Sequence, residues 1–159
     1  MQIKKLIVGV IETNCYILSN TTTNNCIIID PGGEFEIIDN FLIQNKLIPK
    51  YIINTHGHSD HILANNELKD KYNCAILIHK NDAEMLENSN LNLSFFSNIN
   101  FTSYKADKLL TENDIIECNG IKLKVIHTPG HTPGGICLLT NNYLFSGDTL
   151  FHNSIGRTD

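Results

Sequence analysis

Three histidines and an aspartate fall within six residues of a 159-residue chain, in Thr55-His56-Gly57-His58-Ser59-Asp60-His61. Neutral imidazole and carboxylate are the side chains that bind zinc, iron or manganese. One histidine in a polar loop would be unremarkable. Three at this spacing, with an aspartate among them, point to a metal centre. Two later stretches extend the pattern. His127-Thr128-Pro129-Gly130-His131-Thr132-Pro133-Gly134-Gly135 holds two prolines and three glycines, which fix an irregular loop that no regular element supplies. His131 is the expected ligand there, and His127 is expected to make a structural hydrogen bond. In Ser146-Gly147-Asp148-Thr149, Asp148 follows a short apolar run. Its two oxygens could each take a different cation.

The flanking sequence says what positions these residues. Tyr51-Ile52-Ile53-Asn54 reads as a buried strand, and Ile62 to Tyr72 reads as a helix, with Leu63, Leu68 and Tyr72 on one face. The histidine cluster therefore sits at the carboxyl end of a strand, where open α/β sheets place ligands. Gly57 is expected to let the backbone turn between two ligands. Strands are expected at Ile3 to Val10, Asn14 to Ser19 and Cys26 to Asp30, forming a meander closed by Asp30-Pro31-Gly32-Gly33. Helices are expected from Glu34 to Asn45 and from Asn81 to Leu86, the second capped by Asn81. Residues 88 to 108 read as an irregular, partly mobile insertion. Strands return at Asp114 to Cys118, Ile121 to Ile126, Ile136 to Thr140 and Tyr143 to Phe145. Asn119-Gly120 is a two-residue hairpin signal. This order suits two packed sheets with helices outside, an αββα four-layer sandwich in one domain spanning 1–159.

Composition sets limits. Apolar residues make up 42% and charged residues 18%, as in a folded globular domain. A net charge of −5 argues against a general nucleic-acid surface. No run reaches the ~20 apolar residues of a membrane span, and the N-terminus has no signal-peptide pattern. Cys15, Cys26, Cys74, Cys118 and Cys137 include no Cys-x-x-Cys pair and read as reduced core residues of a cytoplasmic protein. The many asparagines suggest no chemistry of their own. Partners are expected to be a small-molecule substrate, with no nucleic acid and no membrane; the oligomeric state is left open.

Together, Asp30 to Gly33, Thr55 to His61, His127 to Gly135, Ser146 to Phe151 and Ser154 to Asp159 resemble the metallo-β-lactamase superfamily, and within it the glyoxalase II-like branch. The resemblance implies that His56, His58 and His131 hold a first metal, that Asp60 and His61 hold a second, and that Asp148 bridges them. It implies two zinc ions, with iron or manganese as alternatives, and a hydroxide between them attacking a thioester such as S-lactoylglutathione. Asp60 would also steer the proton as a catalytic residue. Arg157 and Asp159 are candidates for orienting the imidazoles, while His79 and His152 read as bystanders. The family pattern has one further histidine late in the chain, and residues 1–159 contain none that fills it. The expectation is a chain truncated at its C-terminus, with the second half of the sandwich incomplete and a weaker second metal. Competing readings are a persulfide dioxygenase with one iron on His56, His131 and Asp148, and a catalytically inactive metal-binding fragment. β-Lactam hydrolysis and RNA processing are less well supported.

Overall fold

The computed structural model describes residues 1–158. Six strands form the first sheet in chain order: β1 (Gln2–Val8), β2 (Thr13–Ser19), β3 (Asn25–Ile29), β4 (Ile48–Ile53), β5 (Ala75–His79) and β6 (Lys108–Leu110). The first three are antiparallel, which is the expected meander; β3 to β6 run parallel. Parallel strands need crossovers, and three helices supply them: α1 (Phe35–Gln44), α2 (Asn65–Tyr72) and α3 (Ala83–Glu87). The second sheet is antiparallel, in the order β10 (Tyr143–Phe145), β9 (Ile136–Thr140), β8 (Ile121–His127) and β7 (Ile115–Cys118). A small hairpin, β11 (Leu150–Phe151) with β12 (Ser154–Ile155), follows Asp148.

Strand β3 shows how the layers form. Successive side chains of a strand point to opposite faces. Cys26 and Ile28 pack under the helices with Ile38, Leu42, Leu68 and Leu86. Ile27 and Ile29 pack against the second sheet with Leu123, Val125, Ile136 and Leu138. With both faces covered, the strand is an unbroken apolar run. Helices, first sheet and second sheet make three layers of the expected four-layer sandwich. Among the described residues no helix covers the outer face of the second sheet.

The helices are tied to each other as well as to the sheet. Asp39 on α1 accepts hydrogen bonds from Lys71 Nζ at 2.7 Å and Tyr72 Oη at 2.6 Å, both on α2. Asn119 and Gly120 have φ of 54° and 76°, the pair of left-handed residues that a type I′ hairpin requires between β7 and β8. Two local expectations differ from the structure. Residues 59–61 form a 3₁₀ turn and α2 begins only at Asn65, so Ile62 is not helical. Asn81 does not cap α3; its backbone N–H donates to His79 Nδ1 at 3.3 Å. The segment 88–107 lacks long regular elements, as expected, but it is pinned from several sides. Asn92 O accepts from Ser59 N at 2.8 Å, Ser103 Oγ accepts from Asn65 Nδ2 at 3.1 Å, and Asp107 Oδ2 accepts from Ile76 N at 2.8 Å.

All five cysteines are buried and free. No helix among the described residues is long and apolar enough to cross a membrane.

Candidate metal centre

Every candidate ligand lies on a loop just beyond a strand, at the edge where the two sheets meet. His56, His58, Asp60 and His61 follow β4, His131 follows β8, and Asp148 follows β10. Ring or carboxylate atoms of His56, His58 and His131 all lie within 4.8 Å of one another, and so do those of His56, His61 and Asp148. These two triplets share His56. Asp148 turns one oxygen to each side: Oδ1 is 3.3 Å from His61 Nε2, and Oδ2 is 3.5 Å from His131 Nε2. Asp60 stands outside both triplets, with Oδ2 3.2 Å from His61 Nε2. So the six predicted residues do converge, though His56 rather than Asp60 completes the tight group around His61.

The hydrogen bonds at the rear of the rings fix which nitrogen faces the cluster. Thr55 Oγ1 donates its one proton to Asp30 Oδ2 at 2.7 Å, so at 3.2 Å from His56 Nδ1 it can only accept. His56 therefore carries its proton on Nδ1, and its Nε2 lone pair is open. That Nε2 is buried and has no hydrogen-bond partner. A buried polar atom left unpaired costs about 1–3 kcal/mol, and a cation in the cluster would satisfy it. Burial, then the neighbouring imidazoles of His61, His58 and His131, hold the His56 pKa well below its usual value. Burial and His131 lower His58 to about 4. Both rings are neutral near pH 7, the state a metal ligand needs.

His61 is the opposite case. Burial disfavours its charge, but Asp30, Asp148 and Asp60 outweigh burial and raise its pKa well above the usual value. Three carboxylates thus converge where positive charge belongs. Asp30 Oδ2 lies 3.0 Å from His61 Nδ1 at ion-pair distance, without the alignment of a hydrogen bond. Asp30 also accepts from Thr55 N at 2.7 Å, so one carboxylate braces both His56 and His61 from behind. In the sequence, Asp30 belongs to a turn and to the Asp30 to Gly33 stretch of the resemblance, with no role of its own. Its signal was present: an aspartate at the end of β3, directly beside the strand that carries the histidines.

Other residues fall as follows. His131 Nδ1 is held by the backbone carbonyl of Arg157 at 3.1 Å, so the main chain of that residue orients the ring. Asp159 lies outside the described residues. His127 Nε2 pairs with Pro133 O at 3.0 Å, the structural bond expected of it, and its ring stacks on His79 at 4.1 Å. His152 lines the edge of a cavity with Asp148 and His61. Gly57 does not need an unusual φ; a Cβ there would lie 2.4 Å from Met85 Cβ, so it is close approach by α3 that requires glycine.

Two cavities open on the cluster. One, of about 400 Å³, is bordered by Thr13, Tyr16, Asp60, His61 and Asp148. The other, of about 610 Å³, runs from His58, His131 and Asp148 to an apolar wall of Ile11, Leu63 and Ile99.

A fold of two packed sheets with histidines and carboxylates gathered at one edge is that of a metallo-hydrolase. The sequence profile of the metallo-β-lactamase superfamily matches residues 8–159, and the chain belongs to that superfamily. It is similar to the probable metallo-hydrolase YqgX of Bacillus subtilis, with 34% identity over all of this chain and 76% of the relative. It is also similar to the hydroxyacylglutathione hydrolase GloC of Haemophilus influenzae, with 32% identity over all of this chain and 76% of that protein. Among solved structures, the BLEG-1 B3 metallo-β-lactamase superposes with a TM-score of 0.94 and 36% identity, over 99% of this chain and 77% of that one.

Proposed function

We propose that the protein is a thioester hydrolase with a dinuclear metal centre, of the glyoxalase II-like kind, acting on a small-molecule thioester such as S-lactoylglutathione. The observation that carries the metal reading is the buried, unpartnered His56 Nε2, shared by two triplets of ligand atoms. His56, His58 and His131 would hold one cation. His61, Asp60 and Asp148, with His56 close by, would hold the second. Nitrogen and carboxylate donors of this kind suit zinc, and also iron or manganese. Bound there, such cations would lower the pKa of water and polarise a carbonyl.

The chain's own residues do the rest. Asp148 spans the two ligand groups and keeps their separation fixed. Burial raises the Asp60 pKa, but His61 outweighs burial and holds it below the usual carboxylate value. Asp60 Oδ2 is therefore ionised near neutral pH and can accept a proton from water. Thr13 Oγ1 donates to the same oxygen at 3.3 Å and holds it toward His61. The apolar wall beside His58 and His131 offers the acyl or thiol arm a surface that excludes water.

The thioester reading is supported by likeness to the hydroxyacylglutathione hydrolase of H. influenzae. A second reading, β-lactam hydrolysis, is favoured by likeness to BLEG-1. Zinc-loaded protein is assayed for thiol release from S-lactoylglutathione and for opening of a chromogenic β-lactam, with metal content measured on the same sample. Thiol release without β-lactam opening is the expected result. β-Lactam opening alone selects the second reading, and inactivity on both substrates with full metal content rejects both.

A further inference from the structure

One carboxylate outside the ligand set touches both ligand-bearing loops. Asp82 ends the 3₁₀ turn that follows β5 and is fully buried. Its Oδ2 accepts from Gly57 N at 3.2 Å and from Thr132 Oγ1 at 2.7 Å. Its Oδ1 accepts from Gly134 N at 2.5 Å. Gly57 lies between His56 and His58, and Thr132 follows His131. The two loops leave different sheets; Thr55 O accepts from Ile136 N at 2.9 Å where they meet, and His58 Nδ1 and His131 Nε2 come within 3.0 Å.

We propose that Asp82 is a positioning residue for the metal centre, a clamp that sets the spacing of the His56–His58 loop from the His131 loop. The inference rests on the metal reading given above.

The surrounding packing fits a clamp. A Cβ on Gly134 would stand 2.6 Å from Asp82 N and 2.7 Å from its carboxyl carbon, so the second loop is pressed directly on this residue. On the first loop, Gly57 is pressed in the same way on Met85, three residues further along the same segment. The segment 82–85 is thus a common backing for both loops. Three donors on two oxygens also define the chemistry needed. Asparagine keeps the shape but replaces one accepting oxygen with a donor, which faces a donor in turn. Partners one step behind metal ligands typically change metal affinity 10–100-fold when removed.

The test uses the whole chain with zinc and with cobalt(II) as probes. Zinc affinity is measured by chelator competition, ligand geometry by the visible absorption of the cobalt form, and stability by urea unfolding of the metal-stripped protein. Asp82→Asn is expected to bind zinc about 10–100-fold more weakly, with an altered cobalt spectrum. Thr132→Val removes a single donor and guards against a failure of Asp82→Asn to fold; a loss of roughly tenfold is expected, with Thr132→Ser restoring affinity and spectrum. Unchanged zinc affinity and cobalt spectra in Asp82→Asn and Thr132→Val, even with lower stability, would overturn the clamp while leaving the metal centre intact. A Thr132→Ser as weak as Thr132→Val would also overturn it. A wild-type chain that binds no zinc rejects the metal reading itself, and the clamp with it.

Discussion

His58 Nδ1 stands 3.0 Å from His131 Nε2, although the residues are 73 positions apart and leave different sheets. Arg157 O accepts from His131 Nδ1, so the neutral ring turns a lone pair at Nε2 toward His58, where a proton on His58 Nδ1 or a cation can be held. Here the nearby His56 Nε2, with no partner, makes the arrangement a cluster of lone pairs that a cation would complete.

Replacing His131 with alanine removes a nitrogen from the first triplet and leaves the second intact. Zinc content per chain, by elemental analysis, is expected to fall by about one ion. Affinity at that position should fall by more than roughly a hundredfold, since even an indirect partner costs up to that much. Retained stoichiometry and affinity would show that His131 is not a ligand.

Asp30 holds Thr55 N and Thr55 Oγ1 at 2.7 Å and stands 3.0 Å from His61 Nδ1. Asp30→Ala leaves the buried Thr55 N–H unpaired and frees the His56 and His61 rings. A stability loss of about 1–3 kcal/mol is expected from the orphaned donor, measured by urea unfolding of the metal-stripped protein. Zinc binding should weaken as well. A neutral result on both would remove Asp30 from the account.

Buried amides support the same loop from below. Asn54 Nδ2 donates to His61 O at 3.1 Å, and Asn65 Nδ2 donates to Asn54 Oδ1 at 3.0 Å and to Ser103 Oγ at 3.1 Å. Asn65→Leu should cost about 1–3 kcal/mol, because it strands polar partners that are themselves buried. Limited proteolysis should then open the 88–107 segment before the rest of the chain. Wild-type protease resistance would count against this link.

The Asp39 bonds to α2 give a pH signature. Burial raises the Asp39 pKa, but hydrogen bonds from Lys71 and Tyr72 and the Lys71 charge outweigh it, and the net shift is downward. A carboxyl lowered on folding stabilises the protein above its unfolded pKa of about 3.9, and that contribution is lost as pH falls through the lower folded value. Urea midpoints of wild type and Asp39→Asn should therefore differ near pH 7 and converge in acid. A gap that is constant with pH would mean that charge plays no part.

Much of the candidate site was legible because its candidate ligands lie in short-range patterns: three histidines in six residues, and a proline-glycine loop that only an irregular backbone uses. The β3 and β4 runs were legible for the same reason, being apolar throughout. Asp82 was not, and Asp30 was marked only by its place at the end of β3, since each acts through contacts 25 or more positions away that spacing cannot reveal. The asparagines looked like a bias of composition. In the fold, Asn54, Asn65 and Asn92 are buried connectors, and Asn73, Asn98 and Asn113 take the left-handed turns that few other residues accept. The tethers of the 88–107 segment were not legible because they are long-range bonds, which leave no periodicity.

The distribution of the candidate ligands over loops from two sheets also bears on how the protein is made. During synthesis, a chain that has emerged through β5 already carries His56, His58, Asp60 and His61, but neither His131 nor Asp148. Contacts so distant in sequence form late, after the entropy of closing long loops has been overcome. High-affinity capture of a cation would then report that the second sheet has docked, so metal uptake would mark the end of folding and not its beginning.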